Sequence, residues 1–169
     1  MSDKTKKIFL GLAIMVPFLL YCVYYYSMIL RNAPYKFTEF RSFVFQYGTG
    51  DSLVNKYNSA TGEYQFLNKH DSLIKMHLYL NKSEELDLHH QAAYLGFWNF
   101  PADERNTDTT NLHGAKPPRF LIEFNYKRKS KRVIFDENYV GPQKLVDANK
   151  EMIKQIQKVM AEAESRKQK

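Results

Sequence analysis

The densest charge in the chain is Lys127-Arg128-Lys129-Ser130-Lys131-Arg132, five cations in six residues. Such a run can grip phospholipid headgroups, phosphates or an acidic partner. It can equally be a solvated hairpin tip, where charge discourages unwanted edge pairing. A second concentration is aromatic: Phe97, Trp98 and Phe100, closed by Pro101. Rings so close together form either a plug leading off a helix into a core or the wall of a binding site, and burial is the commoner use. Lys127, Arg128, Lys129, Lys131 and Arg132, with Phe97, Trp98 and Phe100, are therefore the candidate interaction residues. Nucleic acid needs a broader basic surface on a recognisable module, so it is not expected as a partner.

Catalytic and metal chemistry find less. The histidines are His70, His77, His89, His90 and His113. His89 and His90 are adjacent, point about 100° apart on a helix, and so cannot chelate one ion as a pair. Neither H-x-x-x-H nor H-E-x-x-H occurs, and no metal or other cofactor is expected. Asp103, Glu104 and Asp108 lack the alternation and closing Glu of an EF-hand loop. There is no G-x-S-x-G, no G-x-x-x-x-G-K and no dinucleotide glycine pattern. Spacing does not reveal a Ser, His and Asp that converge in space, so a hydrolase built on His113 and the loop acids is the least favoured reading. Cys22 is the only cysteine, which leaves residues 31–169 without a disulfide, a thiol nucleophile or a thiolate metal site.

The element that places everything else is Ile8–Leu30, IFLGLAIMVPFLLYCVYYYSMIL, 23 residues without a charge. As a helix it is ~34 Å long, enough for a ~30 Å hydrocarbon core. Phe9, Leu12, Ile14, Val16, Phe18, Leu19 and Leu20 supply apolar surface, and Tyr24, Tyr25 and Tyr26 suit the headgroup boundary. Pro17 is tolerated in a spanning helix as a kink. A cleaved signal peptide has the same order of basic start and apolar stretch, but its small-x-small exit is missing. Cys22 invites a lipoprotein reading, yet the residue before it is Tyr21, which is not small. The expected organisation is a cytoplasmic tail over 1–7, a transmembrane helix over 8–30, a stalk over 31–39, an extramembrane domain over 40–163 and a flexible tail over 164–169. Lys4, Lys6 and Lys7 nearly balance Arg31, Lys36 and Arg41. The short leading tail then favours a cytoplasmic amino terminus and a periplasmic domain in a bacterial inner membrane. Asp51-Ser52-Leu53, Asp71-Ser72-Leu73 and Asp108-Thr109-Thr110 resemble the short acceptor of some bacterial periplasmic O-glycosylation systems, which also points to export.

The domain reads as α+β. The whole chain carries +7; three lysines less Asp3 account for +2 in the first 30 residues, leaving +5 beyond them. That surplus suits an anionic lipid surface. Alternation and turns predict strands over 40–47, 53–57, 63–67 and 72–80, an antiparallel meander. In the last of these Ile74, Met76, Leu78 and Leu80 point one way and Lys75, His77 and Tyr79 the other. A helix follows with Ser83 as N-cap and Gly96 as stop, and Leu86, His89 or His90, Ala93 and Phe97 at helical spacing. Residues 102–118 form a long polar loop. Arg119–Tyr126 and Val133–Phe135 make a second hairpin. A closing amphipathic helix follows Gly141-Pro142, with Leu145, Met152, Ile156, Val159 and Ala163 on one face.

This order of elements, from about Phe43 to Met160, is similar to small bacterial envelope domains of unknown function. The strand hairpins, the Ser83-Glu84-Glu85-Leu86 helix start, the exit at Phe97–Pro101 and the closing helix carry the resemblance. Those domains often hang from a lipid or a single membrane helix, so the resemblance implies a location and a fold class and transfers no site residue. The expected function is a non-catalytic accessory or interaction subunit of a cell-envelope complex, with membrane lipid and a protein as partners. The alternative is a tethered small-ligand or lipid-binding module with the Phe97–Phe100 cluster as a pocket wall.

Overall fold

The computed structural model describes residues 3–32, 35–106 and 116–167. They divide into two units, residues 1–35 and 36–169. The first is a single helix, α1 (Asp3–Asn32), which continues through Pro17. Its stretch Lys4–Ser27 has a mean hydropathy of 2.1 and none of it is buried, so it is long and apolar enough to cross a membrane. The side chains expected to meet lipid, from Phe9 to Tyr26, are all exposed, Val16 least at 48%.

The second unit is α+β. A 3-10 turn (Phe37–Glu39) leads into β1 (Phe40–Thr49), β2 (Ser52–Asn58), β3 (Glu63–Leu67) and β4 (Leu73–His77). Helix α2 (Lys82–Leu95) and a second 3-10 turn (Phe97–Asn99) follow. Then come β5 (Asp103–Glu104), β6 (Pro118–Tyr126), β7 (Ser130–Asp136) and α3 (Gln143–Lys167). One seven-stranded sheet results, in the order β4-β3-β2-β1-β6-β7-β5. Every pairing is antiparallel except β5 with β7, which is parallel.

Period-two alternation decides which face is buried. Phe43 and Phe45 of β1, Tyr57 of β2, Phe120, Ile122 and Phe124 of β6, and Val133 and Phe135 of β7 are all at most 9% exposed. They share one face, and α2 and α3 cover it with Leu88, Ala92, Met152, Ile156 and Val159. The opposite face is largely polar around β2, β3 and β4, with Lys56, Gln65, Lys75 and His77 half-buried or exposed.

Local chemistry explains most element ends. Asn81, not Ser83, caps α2: its side chain accepts from the Glu84 amide at 2.9 Å, and the Glu84 carboxylate accepts from the Asn81 amide at 2.7 Å. This reciprocal box satisfies two otherwise orphaned donors. The inward face also differs from the expected one: Glu84, Leu88, His89 and Ala92 are buried, while Ala93 is exposed and Leu86 half-buried. Gly96 ends α2 in the left-handed region at φ 75°, as its sequence position predicts. At Gly48 a Cβ would lie 1.9 Å from the Ser52 carbonyl oxygen, and the register shift between Tyr47 and Thr49 needs that close approach.

Four expectations change. Residues 37–39 begin the domain rather than ending a stalk, because the Phe37 ring meets Phe40 and His89. The fourth strand stops at His77, since Leu78, 1% exposed, dives into the core. The long loop yields β5, which pairs with β7. Residues 164–167 continue α3, which is held by the Arg166–Glu84 ion pair; residues 168 and 169 lie outside the described ones. On α3 the expected face holds from Met152 onward with Ile153 and Met160 added, and Leu145 is half-buried.

Phe124 is wholly buried among Phe43, Phe97 and Trp98, with ring centroids 5.1, 5.6 and 5.4 Å away. Phe124→Ala in the full-length chain should cost about 3–5 kcal/mol through lost burial and a residual cavity. Urea unfolding monitored by Trp98 fluorescence checks this; a loss below about 1 kcal/mol would contradict the packing described.

Candidate interaction surface

The two sequence-predicted patches meet, but not as one open surface. Phe97 is 0% and Phe100 9% exposed, and both belong to the core. Trp98 is half-buried against Phe124, Tyr126 and His89, at 5.4, 5.8 and 5.6 Å. The cations of the β6–β7 hairpin then divide. Arg128 forks onto Glu39, with Nε and Nη2 donating to the two carboxylate oxygens at 3.0 and 2.6 Å. This fork, with the bond from the Lys127 amide to the Glu39 carbonyl, fastens the start of the domain to the hairpin tip. Lys131 turns inward and its ammonium donates to the Phe100 carbonyl oxygen. Burial holds its pKa below the ordinary lysine value, partly offset by the Glu104 carboxyl. Lys127 and Arg132 are exposed, and Lys129 is half-buried. The basic run is thus partly structural: two of its cations tie the hairpin to other elements.

Beside the aromatic plug lies a histidine whose chemistry the sequence left open. His89 Nδ1 and the Tyr126 hydroxyl are 2.7 Å apart, and Phe37, Trp98 and His90 surround the imidazole. Burial, and secondarily His90, lowers its pKa. His89 is therefore a neutral, hydrogen-bonded core residue at neutral pH.

A second buried polar pair escapes sequence reading altogether. Glu104 of β5 is 0% exposed and accepts from Asn149 Nδ2 of α3 at 2.5 Å. Glu104 Oε1 and Asn149 Oδ1 are both buried without a hydrogen-bond partner. Burial raises the Glu104 pKa against smaller lowering by the Asn149 bond and Lys131. Protonation would give Glu104 a hydrogen to donate, which neither unpaired oxygen carries. The pair closes the β5 edge of the sheet beneath α3.

What stays open is the other end of the sheet. Lys56, Asn58, Glu63, Gln65, Lys75 and His77 line a groove of about 430 Å³ on the uncovered face of β2, β3 and β4. At the β3–β4 tip Leu67, Leu73 and Ile74 are 38%, 46% and 37% exposed. A separate apolar groove of about 620 Å³ lies where α2 ends beside the start of α3, lined by Tyr94, Leu95, Phe100, Leu145 and Ala148. Alternation around Lys75 was visible in sequence; that β4 ends up as the sheet's margin depends on strand order, which was not. Asp108 and His113 of the suggested hydrolase lie outside the described residues. Among the described residues no three His, Cys, Asp or Glu side chains gather as a metal-ligand set.

The Glu104 pKa is raised on folding, so its stabilising contribution is complete below about pH 4, its unfolded range, and is lost as pH rises through the folded value. Glu104→Gln supplies an amide donor for Asn149 Oδ1 and removes that titration. The variant should be about 1–2 kcal/mol more stable than the parent at pH 8, with the gain fading towards pH 4; thermal unfolding across that range measures it. No protein-family model matches the chain, and no curated protein does.

Proposed function

We propose that the chain is a single-pass membrane protein whose α+β domain is a non-catalytic interaction module, an accessory subunit of a cell-envelope complex. The observation that carries this reading is the exposed apolar helix Lys4–Ser27, long enough to cross a bilayer. An unpartnered surface of 24 residues at that hydropathy is costly in water and stable in lipid. The open sheet face and exposed β3–β4 tip then give the domain somewhere to meet a protein, while Arg128 and Lys131 are engaged in tying the β6–β7 hairpin to other elements. Lys4, Lys6 and Lys7 before the span favour a cytoplasmic amino terminus and a periplasmic domain.

A tethered module for a lipid or small apolar ligand is the second reading. It is favoured by one observation, the groove that Phe100 lines together with Leu95 and Leu145, and beside which Tyr94 stands 85% exposed. Trp98 does not line that groove; its ring packs on Phe124 and Tyr126.

Carbonate washing of membranes from the native host should leave the full-length chain in the pellet, with an amino-terminal sequence beginning at Met1 or Ser2. Gentle detergent extraction should then recover it with a stoichiometric protein partner. Release by carbonate, or mature protein beginning at residue 22 or later, overturns the tether. A carbonate-resistant chain that extracts as a monomer carrying bound lipid moves the assignment to the second reading.

A further inference from the structure

We infer that the free edge of β4 is a docking strip for an extended segment of a partner protein in which acidic and apolar residues alternate. The inference rests on the interaction-module reading and specifies its surface. It begins with the backbone. The Asn68 amide donates to the Ser72 carbonyl at 3.0 Å and the Leu78 amide to the Gly62 carbonyl at 2.7 Å, so pairs 68/72 and 62/78 are hydrogen-bonded across the hairpin. Antiparallel ladders alternate. Given the register of Tyr64 with Met76 and Phe66 with Ile74, residues 72, 74, 76 and 78 bond towards β3. Leu73, Lys75 and His77 therefore present their N–H and C=O groups outward. Lys167 Nζ donates to the His77 carbonyl at 2.8 Å, leaving three amides and two carbonyls at ~6.8 Å spacing along the edge. The opposite edge is different in kind: β5 has two residues, and α3 reaches it through the buried Asn149–Glu104 bond.

Side chains then define the occupant. On the open face Lys75 stands opposite Gln65, not an acid, and no ion pair to Lys75 forms among the described residues. His77 already faces Glu63. On the helix-covered face Ile74 is 37% exposed and Met76 half-buried beside it. A strand added beyond β4 would thus set one residue beside an uncompensated ammonium and its neighbours beside apolar side chains. Opposite charges abreast on adjacent strands stabilise the pairing, and apolar neighbours extend the core. A second copy is disfavoured by the same chemistry, because a two-fold pairing overlapping all of β4 sets Lys75 against Lys75. Lysine in the middle of an open edge blocks self-pairing and admits an acidic guest.

The test uses the full-length chain in detergent micelles and two synthetic eight-residue peptides, one alternating valine with glutamate and one alternating valine with lysine. Amide exchange at residues 72–78 is followed during titration. The acidic peptide should newly protect the amides of Leu73, Lys75 and His77 while leaving Ile74 and Met76 unchanged, and the lysine peptide should not. Lys75→Glu should weaken the acidic peptide about fivefold and reverse the preference, since an attraction becomes a repulsion. Lys75→Pro, which removes an outward N–H and no ladder bond to β3, should abolish protection. Absence of protection at the three amides, equal response to both peptides, or dimerisation through β4 would each overturn the inference. Photocrosslinkers at residues 75 and 94 in native membranes separate the two levels. An adduct to a segment of alternating acidic and apolar residues at 75 supports the docking strip. A protein adduct at 94 alone refutes the strip and leaves the interaction module standing; no protein adduct at either refutes both.

Discussion

The domain closes on the ring of Phe124. It lies near the end of β6, the strand that joins the meander to the second hairpin, and β1 supplies Phe40 and Phe43 against it. From the other side Phe97 and Trp98 descend off the end of α2. Tilted and edge-to-face contacts at 5–6.5 Å are the arrangement aromatic rings prefer over a direct face-to-face stack. Sheet, helix exit and the first residues of the domain are thereby fixed to one side chain. The left-handed turn at Gly96 exists to deliver Phe97 there, since a helix that continued would carry that ring past the sheet.

Charge is organised around this centre rather than apart from it. Arg128 secures Glu39 at the point where the chain enters the sheet, and Lys131 satisfies the Phe100 carbonyl where the aromatic turn ends. At the far end of the domain Arg166 bridges Glu84 and also donates to the Tyr79 carbonyl at 3.0 Å, clasping the end of α3 to the start of α2. Arg119 holds Asp136 at 2.6 Å across the β6–β7 pair. Each of these cations pairs with a carboxylate or backbone carbonyl on another element and so fastens two parts of the fold together. Two helices cover only one face of seven strands, so polar side chains must solvate the rest, and the margin at β4 has no covering element among the described residues.

Much of this architecture was legible because burial imposes short periods on sequence. Alternation in Phe43–Phe45 and Phe120–Phe124, and the 3.6-residue recurrence of Met152, Ile156, Val159 and Ala163, mark strands and helix directly. The α+β class, the meander, the second hairpin and the closing helix followed. The long-range relations did not. Nothing local says that β1 pairs with β6, or that two residues inside a polar loop add a parallel strand to β7. Asn81 and Ser83 both suit a cap, and only the reach of Glu84 back to the Asn81 amide decides between them. The basic run was legible only in part for a related reason: a lysine in sequence carries no sign of whether its ammonium meets water or a carbonyl. Lys127, Arg128 and Arg132 do lie at the surface, but Arg128 commits its guanidinium to Glu39 and Lys131 turns its ammonium inward onto the Phe100 carbonyl.

The central pairing of β1 with β6 joins residues about 80 positions apart, while β1 to β4 are connected by short turns. Local hairpins form in microseconds, whereas closing a long loop against chain entropy is slow. During synthesis the four-stranded meander is complete by residue 77, with the inner margin of β1 unpaired until β6 emerges some forty residues later. At ribosomal speeds of roughly 5–20 residues per second that interval lasts seconds, far longer than hairpin formation. The nascent meander, with one margin of β1 unpaired, is therefore the species of this chain most open to edge-to-edge association.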